Sequence, residues 1–515
     1  MGGGESHNLV KSHYKKSLFT LIKSTKRYYL GIWLIKLPFY ALFSESKAEK
    51  WREKRRIRYE NLQIAKKQFK AIRTLSPQIK DWTKSSEFKD KYANHPYPPL
   101  LNPQNIDYES IPADLAWELN LPLPPKASLL TVANVCCASL ATIMYLSEVK
   151  CEYISGNTFR ELYINIYKKF QYGNRYNINQ RYNIFFYYQM FCIWDKDNAL
   201  KFKKMLTNKI PLLFVVRDPI SQIRSTINHY NKSYADDIQQ VKTFTLAHKN
   251  IINQLIPKAK YLWSDDYKPS FQFLSNNLND FISLRSLLAK DSLLEDFKDN
   301  ISFVYCIEFN DLKYNKAFDT YSKVAKMFNF EKPQNKDFFA NKQWTEIYTL
   351  LPTTLYVHLD DLKINEQNLD SINKKDSIPI IITLPSHLSE QQKKFVDISS
   401  ILEHNLTIDE TRVFIIIKQE QFGKLKENKQ LYNTTIRFLI DYISAIRNEI
   451  DRRNRDKITE IQILDFLKQN KKIRIFLKNV LDSELNYIKT HHPDFIKKWQ
   501  YYLEFEKMCA ELDES

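Results

Sequence analysis

Arg217 and Ser225 stand eight residues apart, and together they could hold a phosphate dianion. Arg217 follows the apolar run Ile210 to Val216, which is too short for a helix and stops abruptly at Arg217-Asp218-Pro219. Such a run reads as a parallel strand buried on both faces, then a turn and a helix. Asp218 suits the helix cap, and Pro219 suits the first turn, where a missing N–H costs nothing. Arg217 is thereby placed at the carboxyl end of a strand, the edge at which open α/β sheets bind ligands. Ser225 falls about two turns into the helix. A guanidinium fork and a hydroxyl converging on one point match the geometry of a phosphate.

A second anion-binding element is expected after the strand Ala127 to Val132. The segment Asn134 to Thr142 reads as a loop entering a helix, whose free N–H groups can receive an anion. Asn134, Ser139 and Thr142 supply its polar side chains, but it holds no Lys, Arg or Gly. Only seven Gly occur, three of them at Gly2 to Gly4, which argues against a Gly-rich phosphate loop. His229, one turn beyond Ser225, is the candidate general base. Asp195-Lys196-Asp197 offers a different chemistry, since two carboxylates after an apolar run could hold a divalent ion against a diphosphate. The competing reading is a turn in which Asp197 caps a helix from Asn198 to Leu206.

The stretch Lys209 to His229 resembles the 3′-phosphate-binding segment of sulfotransferases that use 3′-phosphoadenosine-5′-phosphosulfate (PAPS), in the apolar strand, the Arg-Asp-Pro turn and the Arg-to-Ser spacing. The run Ile301 to Leu312, with Glu308 and Asp311 in its exit turn, resembles their late strand, and the helix Ala317 to Phe328 follows it as in that family. The resemblance implies a P-loop-like parallel sheet flanked by helices. It also implies PAPS as donor, no metal, Arg217 and Ser225 on the 3′-phosphate, and Asn134, Ser139 and Thr142 on the 5′ side. The family's Arg-Lys-Gly closing segment is not matched near 335–345, where Asn335-Lys336 and Asn341-Lys342 are the nearest basic points. Residues His491 to Cys509 resemble the C-terminal signature of an uncharacterised family of Campylobacter- and Helicobacter-like bacteria, sometimes labelled sugar transferases.

At 515 residues, two domains plus an extension are expected. The reading is a basic helical region at 1–94, a Pro-rich linker at 95–126, a sulfotransferase-like α/β domain at 127–350 and a mainly helical region at 351–515. The net charge of +18 favours anionic partners, and no RNA-binding signature accompanies it. Six cysteines form no zinc set or Cys-x-x-Cys pair, which suits a reducing cytoplasm. Tyr28 to Phe43 is apolar but shorter than the roughly 20 residues of a membrane span. Its basic and aromatic flanks suit peripheral contact with an anionic inner-membrane surface through 9–73.

The leading expectation is therefore transfer of a sulfuryl group from a nucleotide donor, PAPS, to a hydroxyl of a surface carbohydrate. The alternatives are a metal-dependent glycosyltransferase using Asp195 and Asp197, and an inactive binding protein on the same fold.

Overall fold

The computed structural model describes residues 72–125, 127–175, 182–187, 195–230, 242–258, 260–264, 267–276, 284–340, 345–363 and 376–513. The expected interfacial helix at 28–43 lies outside them, as does the basic segment 9–73 except for its last two residues.

Five parallel strands form the first sheet: β1 (Ala127–Ala133), β2 (Glu152–Ile154), β3 (Tyr182–Tyr187), β4 (Ile210–Val216) and, later in the chain, β6 (Ile301–Glu308). Their spatial order is β2-β3-β1-β4-β6. The apolar runs read from the sequence at 127, 210 and 301 become β1, β4 and β6. Continuous apolarity is what β1 and β4, covered on both faces, require; β6 lies at the sheet edge and leaves Ser302 and Phe303 exposed.

Helices cover the two faces. On one, Leu129, Leu213 and Val215 pack against Tyr145 and Leu146 of α1 (Ser139–Glu148), and against Tyr321 and Val324 of α6 (Ala317–Phe328), which follows β6. The other face packs Leu130, Val132, Phe214 and Val216 against Leu162 and Ile166 of α2 (Phe159–Arg175) and Phe202 of α3 (Lys196–Met205). Between β4 and β6 run α4 (Pro219–Ile227) and the short helix α5 (Asp291–Phe297). Residues 95–126, the expected linker, bury Leu100, Leu101, Trp117 and Leu121 in this same core.

A second, mixed sheet has the order β5-β7-β8-β12-β9. It comprises β5 (Thr243–Thr245), β7 (Thr353–Val357), β8 (Ile378–Thr383), β9 (Val396–Asp397) and β12 (Phe414–Ile417). The hairpin strands β10 (Thr407–Ile408) and β11 (Thr411–Arg412) stand apart from it. The long helix α7 (Lys429–Asp456) packs its Phe438, Leu439, Tyr442 and Ile446 stripe onto the second sheet. Three further helices, α8 (Glu460–Gln469), α9 (Lys471–Glu484) and α10 (Gln500–Asp513), return to the first. They bury Ile463, Leu477, Trp499, Tyr502 and Phe505 in the first core. The two sheets are thus interleaved along the chain, because strand pairing and helix docking follow apolar faces rather than sequence order.

Candidate functional site

Topology marks one crevice. From β1 the chain moves to β2 on one side of the sheet, and from β4 it moves to β6 on the other. The connections diverge between the carboxyl ends of adjacent β1 and β4, the switch point where open α/β sheets take their ligands. The segments leaving those ends are the loop Asn134–Ala138 and Arg217-Asp218, both singled out by sequence.

The loop achieves without glycine a turn that usually needs it. Cys136 and Ala138 have φ of 63° and 54°, in the left-handed region that costs an L-residue of order 1 kcal/mol. Surrounding bonds hold this shape. Asn134 Nδ2 donates to Ala289 O at 2.7 Å, and Gln222 Nε2 donates to Val135 O at 3.0 Å. Arg217 Nη1 donates to Cys136 O at 2.8 Å. The loop then enters α1, where Ala138 has no side-chain oxygen with which to cap the first turn. Thr142 is buried, and its Oγ1 has no hydrogen-bond partner.

Arg217 is 8% exposed, and its guanidinium carbon lies 4.0 Å from the centre of the Phe309 ring. Burial disfavours its charge, and Arg224 adds repulsion, yet a guanidinium stays protonated in proteins. Among the described residues no carboxylate lies within ion-pair distance of it. One of its five N–H donors is used on Cys136, so the remaining fork is available to an anion.

Asp218 is occupied differently. Its Oδ1 accepts from Ile220 N and Ser221 N, and its Oδ2 accepts from Tyr501 N and Tyr502 N. The expected cap of α4 is present, and the same carboxylate also receives α10. Ser225 is half-buried in the second turn of α4, and its hydroxyl has no protein partner among the described residues. Arg224, beside it, pairs with Glu460 at 3.4 Å.

Two sequence candidates do not join the crevice. Helix α4 stops at Ile227, and Asn228 caps it. His229 therefore lies beyond the helix rather than on its face, about 15 Å along from Pro219 at 1.5 Å per residue. Its carbonyl accepts from Leu262 N at 2.7 Å. Asp195 stands on the β2–β3 side of the sheet, where its carboxylate accepts from Phe159 N and Asn198 Nδ2. It holds the position before α3 that sequence gave to Asp197, because the helix begins two residues earlier. Among the described residues, no group of three or more His, Cys, Asp and Glu is placed to hold a metal ion. The side chain of Asp197 and the run 188–194 lie outside the described residues.

Sequence reading missed Lys290. It is fully buried between Ala289, whose carbonyl takes Asn134, and the first turn of α5. Its backbone N–H donates to Glu484 Oε2 at 2.9 Å, whereas its Nζ donates only to Leu288 O, at 3.2 Å. No carboxylate lies within ion-pair distance of the ammonium among the described residues. Burial pushes its pKa below the usual lysine range; Cys137, Glu484, Asp291 and Cys306 partly oppose this. The one sequence signal was a lysine directly after the short apolar run Leu287 to Ala289.

At the β6 end, Glu308 is buried. It accepts from Asn310 N, Asn310 Nδ2 and Trp499 Nε1 at 2.8, 3.2 and 3.3 Å. A small cavity lined by Leu123, Ile166 and Ile210 lies at the opposite, amino edge of the strands, away from this chemistry.

Residues 306–512 match the model of a family described as a protein of unknown function, DUF2972. No curated protein and no solved structure matches the chain. The DUF2972 segment begins inside β6 and ends in α10. It supplies Phe309, Glu460, Glu484, Trp499, Tyr501 and Tyr502, which seal or brace the crevice. Arg217, Ser225, Lys290 and the loop all precede it. Among the described residues no helix is long and apolar enough to cross a membrane.

Proposed function

We propose that the β1–β4 crevice binds the phosphates of a nucleotide, and that the protein is a sulfotransferase-like enzyme moving a sulfuryl group from PAPS to a carbohydrate hydroxyl. The observation that carries this reading is Arg217. A buried guanidinium, with no carboxylate at ion-pair distance among the described residues, reaches from the end of β4 to the backbone of the loop after β1. Retaining such a charge in a protein interior is costly unless an anion compensates it.

In this reading the acceptor oxygen bonds to sulfur and its proton passes to water, as the bond between sulfur and the 5′-phosphate oxygen breaks. Charge develops on the leaving phosphate, and catalysis is mostly positioning and charge stabilisation. Arg217 and Ser225 would hold the 3′-phosphate. The N–H groups opening α1, with Asn134, Ser139 and Thr142, would face the 5′ end. The basic segment 9–73 would bring the enzyme to an anionic membrane surface.

The test is a thermal-shift panel of adenosine 3′,5′-bisphosphate, UDP, GDP and CMP, with and without Mn²⁺. Stabilisation by the bisphosphate, independent of metal and abolished in Arg217→Ala, is the expected result. Stabilisation by UDP or GDP only with Mn²⁺, lost in Asp195→Ala, would replace this reading with the glycosyltransferase one. No response to any nucleotide would leave a binding or scaffolding protein.

A further inference from the structure

We infer that Lys290 supplies the cationic contact to the bound anion that the Asn134–Thr142 loop itself lacks. The inference rests on the phosphate-site reading above and adds a residue to it. Three observations converge. Lys290 is attached to the loop from behind, since the carbonyl of the preceding Ala289 receives Asn134 Nδ2 at 2.7 Å. Its Nζ is wholly buried with a single carbonyl acceptor, so two of its three N–H donors are unused. Lys290 and Arg217 both act electrostatically on the thiol of Cys137 in that loop. Two buried cations, without ion-pair partners among the described residues, thus flank one five-residue loop, from segments that are 73 positions apart in sequence.

Glu484 does not neutralise this lysine. Its carboxylate is taken by the N–H groups of Lys290 and Ser292 and by the Ser292 hydroxyl. It therefore fixes the start of α5 and with it the backbone of Lys290, while the ammonium donates to Leu288 O. An unpaired buried amine weakens the ligand-free protein and strengthens its hold on an anion.

Titration gives a signature that a packing role would not. The groups facing Lys290 are Cys137, Cys306, Glu484 and Asp291, with Arg217 across the loop. Burial pushes the thiols of Cys137 and Cys306 up to about 11 and about 12, so both stay protonated from pH 7 to 9.5. A phosphate is already a dianion there, its second pKa being about 6. Lys290, held low by burial, loses its proton as pH rises through its own pKa. Affinity for the anion should therefore fall as pH rises through that pKa.

The experiment uses the full chain and its Lys290→Met, Lys290→Gln and Arg217→Ala variants. Adenosine 3′,5′-bisphosphate and inorganic pyrophosphate are the probes, followed by thermal shift and calorimetric titration from pH 7 to 9.5. The expected result is an unchanged or higher melting temperature for Lys290→Met without ligand. Its affinity for both probes should be weakened roughly tenfold or more, as for a lost charge-assisted hydrogen bond, and the decline with pH should disappear. Lys290→Gln serves if the Met variant does not fold. Full affinity and an unaltered pH profile in the folded variant, with binding lost in Arg217→Ala, would overturn the role of Lys290 and leave the site standing. No binding of either probe to the unsubstituted protein would remove the site and this inference together.

Discussion

One carboxylate oxygen of Asp218 receives the backbone N–H of Tyr502, 284 positions away in sequence, while the other caps its own helix. The turn that delivers Arg217 to the crevice is therefore also the anchor of the C-terminal helix. Tyr501 N shares that oxygen at 3.1 Å, and Trp499 Nε1 reaches the neighbouring strand end at Glu308. The DUF2972 segment is not a separate appendage. Its last helix closes the core beneath the crevice with Trp499, Tyr502 and Phe505.

Asp218→Asn should separate the two capping roles. Asparagine can still accept at the start of α4, but its amide group would oppose the Tyr501 and Tyr502 N–H groups. A loss of about 2 kcal/mol is expected in chemical denaturation, with faster hydrogen exchange or proteolysis confined first to α10. Uniform exchange across the chain would contradict this assignment.

Ser225→Ala should leave the melting temperature of the ligand-free protein within about 1 °C, because the hydroxyl has no protein partner to lose. Affinity for adenosine 3′,5′-bisphosphate should fall several-fold. Arg217→Lys should weaken it further, since an ammonium cannot reproduce the fork. Equal affinities in all three proteins would remove both residues from the site.

Arg453 provides a contrast. It is buried, as the two site cations are, yet it is satisfied by Glu449 Oε1, Thr349 Oγ1 and Pro257 O at 2.7, 2.7 and 2.8 Å. Arg453→Met should cost about 3 kcal/mol by leaving those acceptors and the Glu449 charge uncompensated. The thermal shift caused by the bisphosphate should be unchanged in size. Loss of that shift at temperatures where the variant is folded would tie the second sheet to ligand binding.

Asp195→Asn should act on stability alone. The carboxylate ties the first residue of α2 to the start of α3, so a cost of about 1 kcal/mol is expected. Mn²⁺ should not shift the melting temperature of either protein, with or without UDP. A metal-dependent shift present only with Asp195 would restore the two-carboxylate metal reading.

Much of the first sheet was legible because a parallel strand covered on both faces must be apolar throughout. The runs at 127, 210 and 301 announced β1, β4 and β6, and Asp218-Pro219 announced the helix after β4. The short strand β5 was not legible. Three residues carry no periodicity, and their pairing partner β7 lies about a hundred positions on. His229 was misplaced because helical spacing was extended past Ile227, where the chain turns away. Lys290 was passed over because a lysine at a helix boundary looks like any solvated one until burial is known.

By itself the sequence determined several elements and the place of Arg217 at the carboxyl end of β4, since local apolar runs and caps act over a few residues. Tertiary structure alone decided which residues share the crevice. Parallel pairing set β1 beside β4, and apolar faces carried α8 to α10 back to the first core. Burial then left Arg217 and Lys290 without an ion-pair carboxylate among the described residues. Whether a charge is paired depends on long-range packing, which no local pattern encodes.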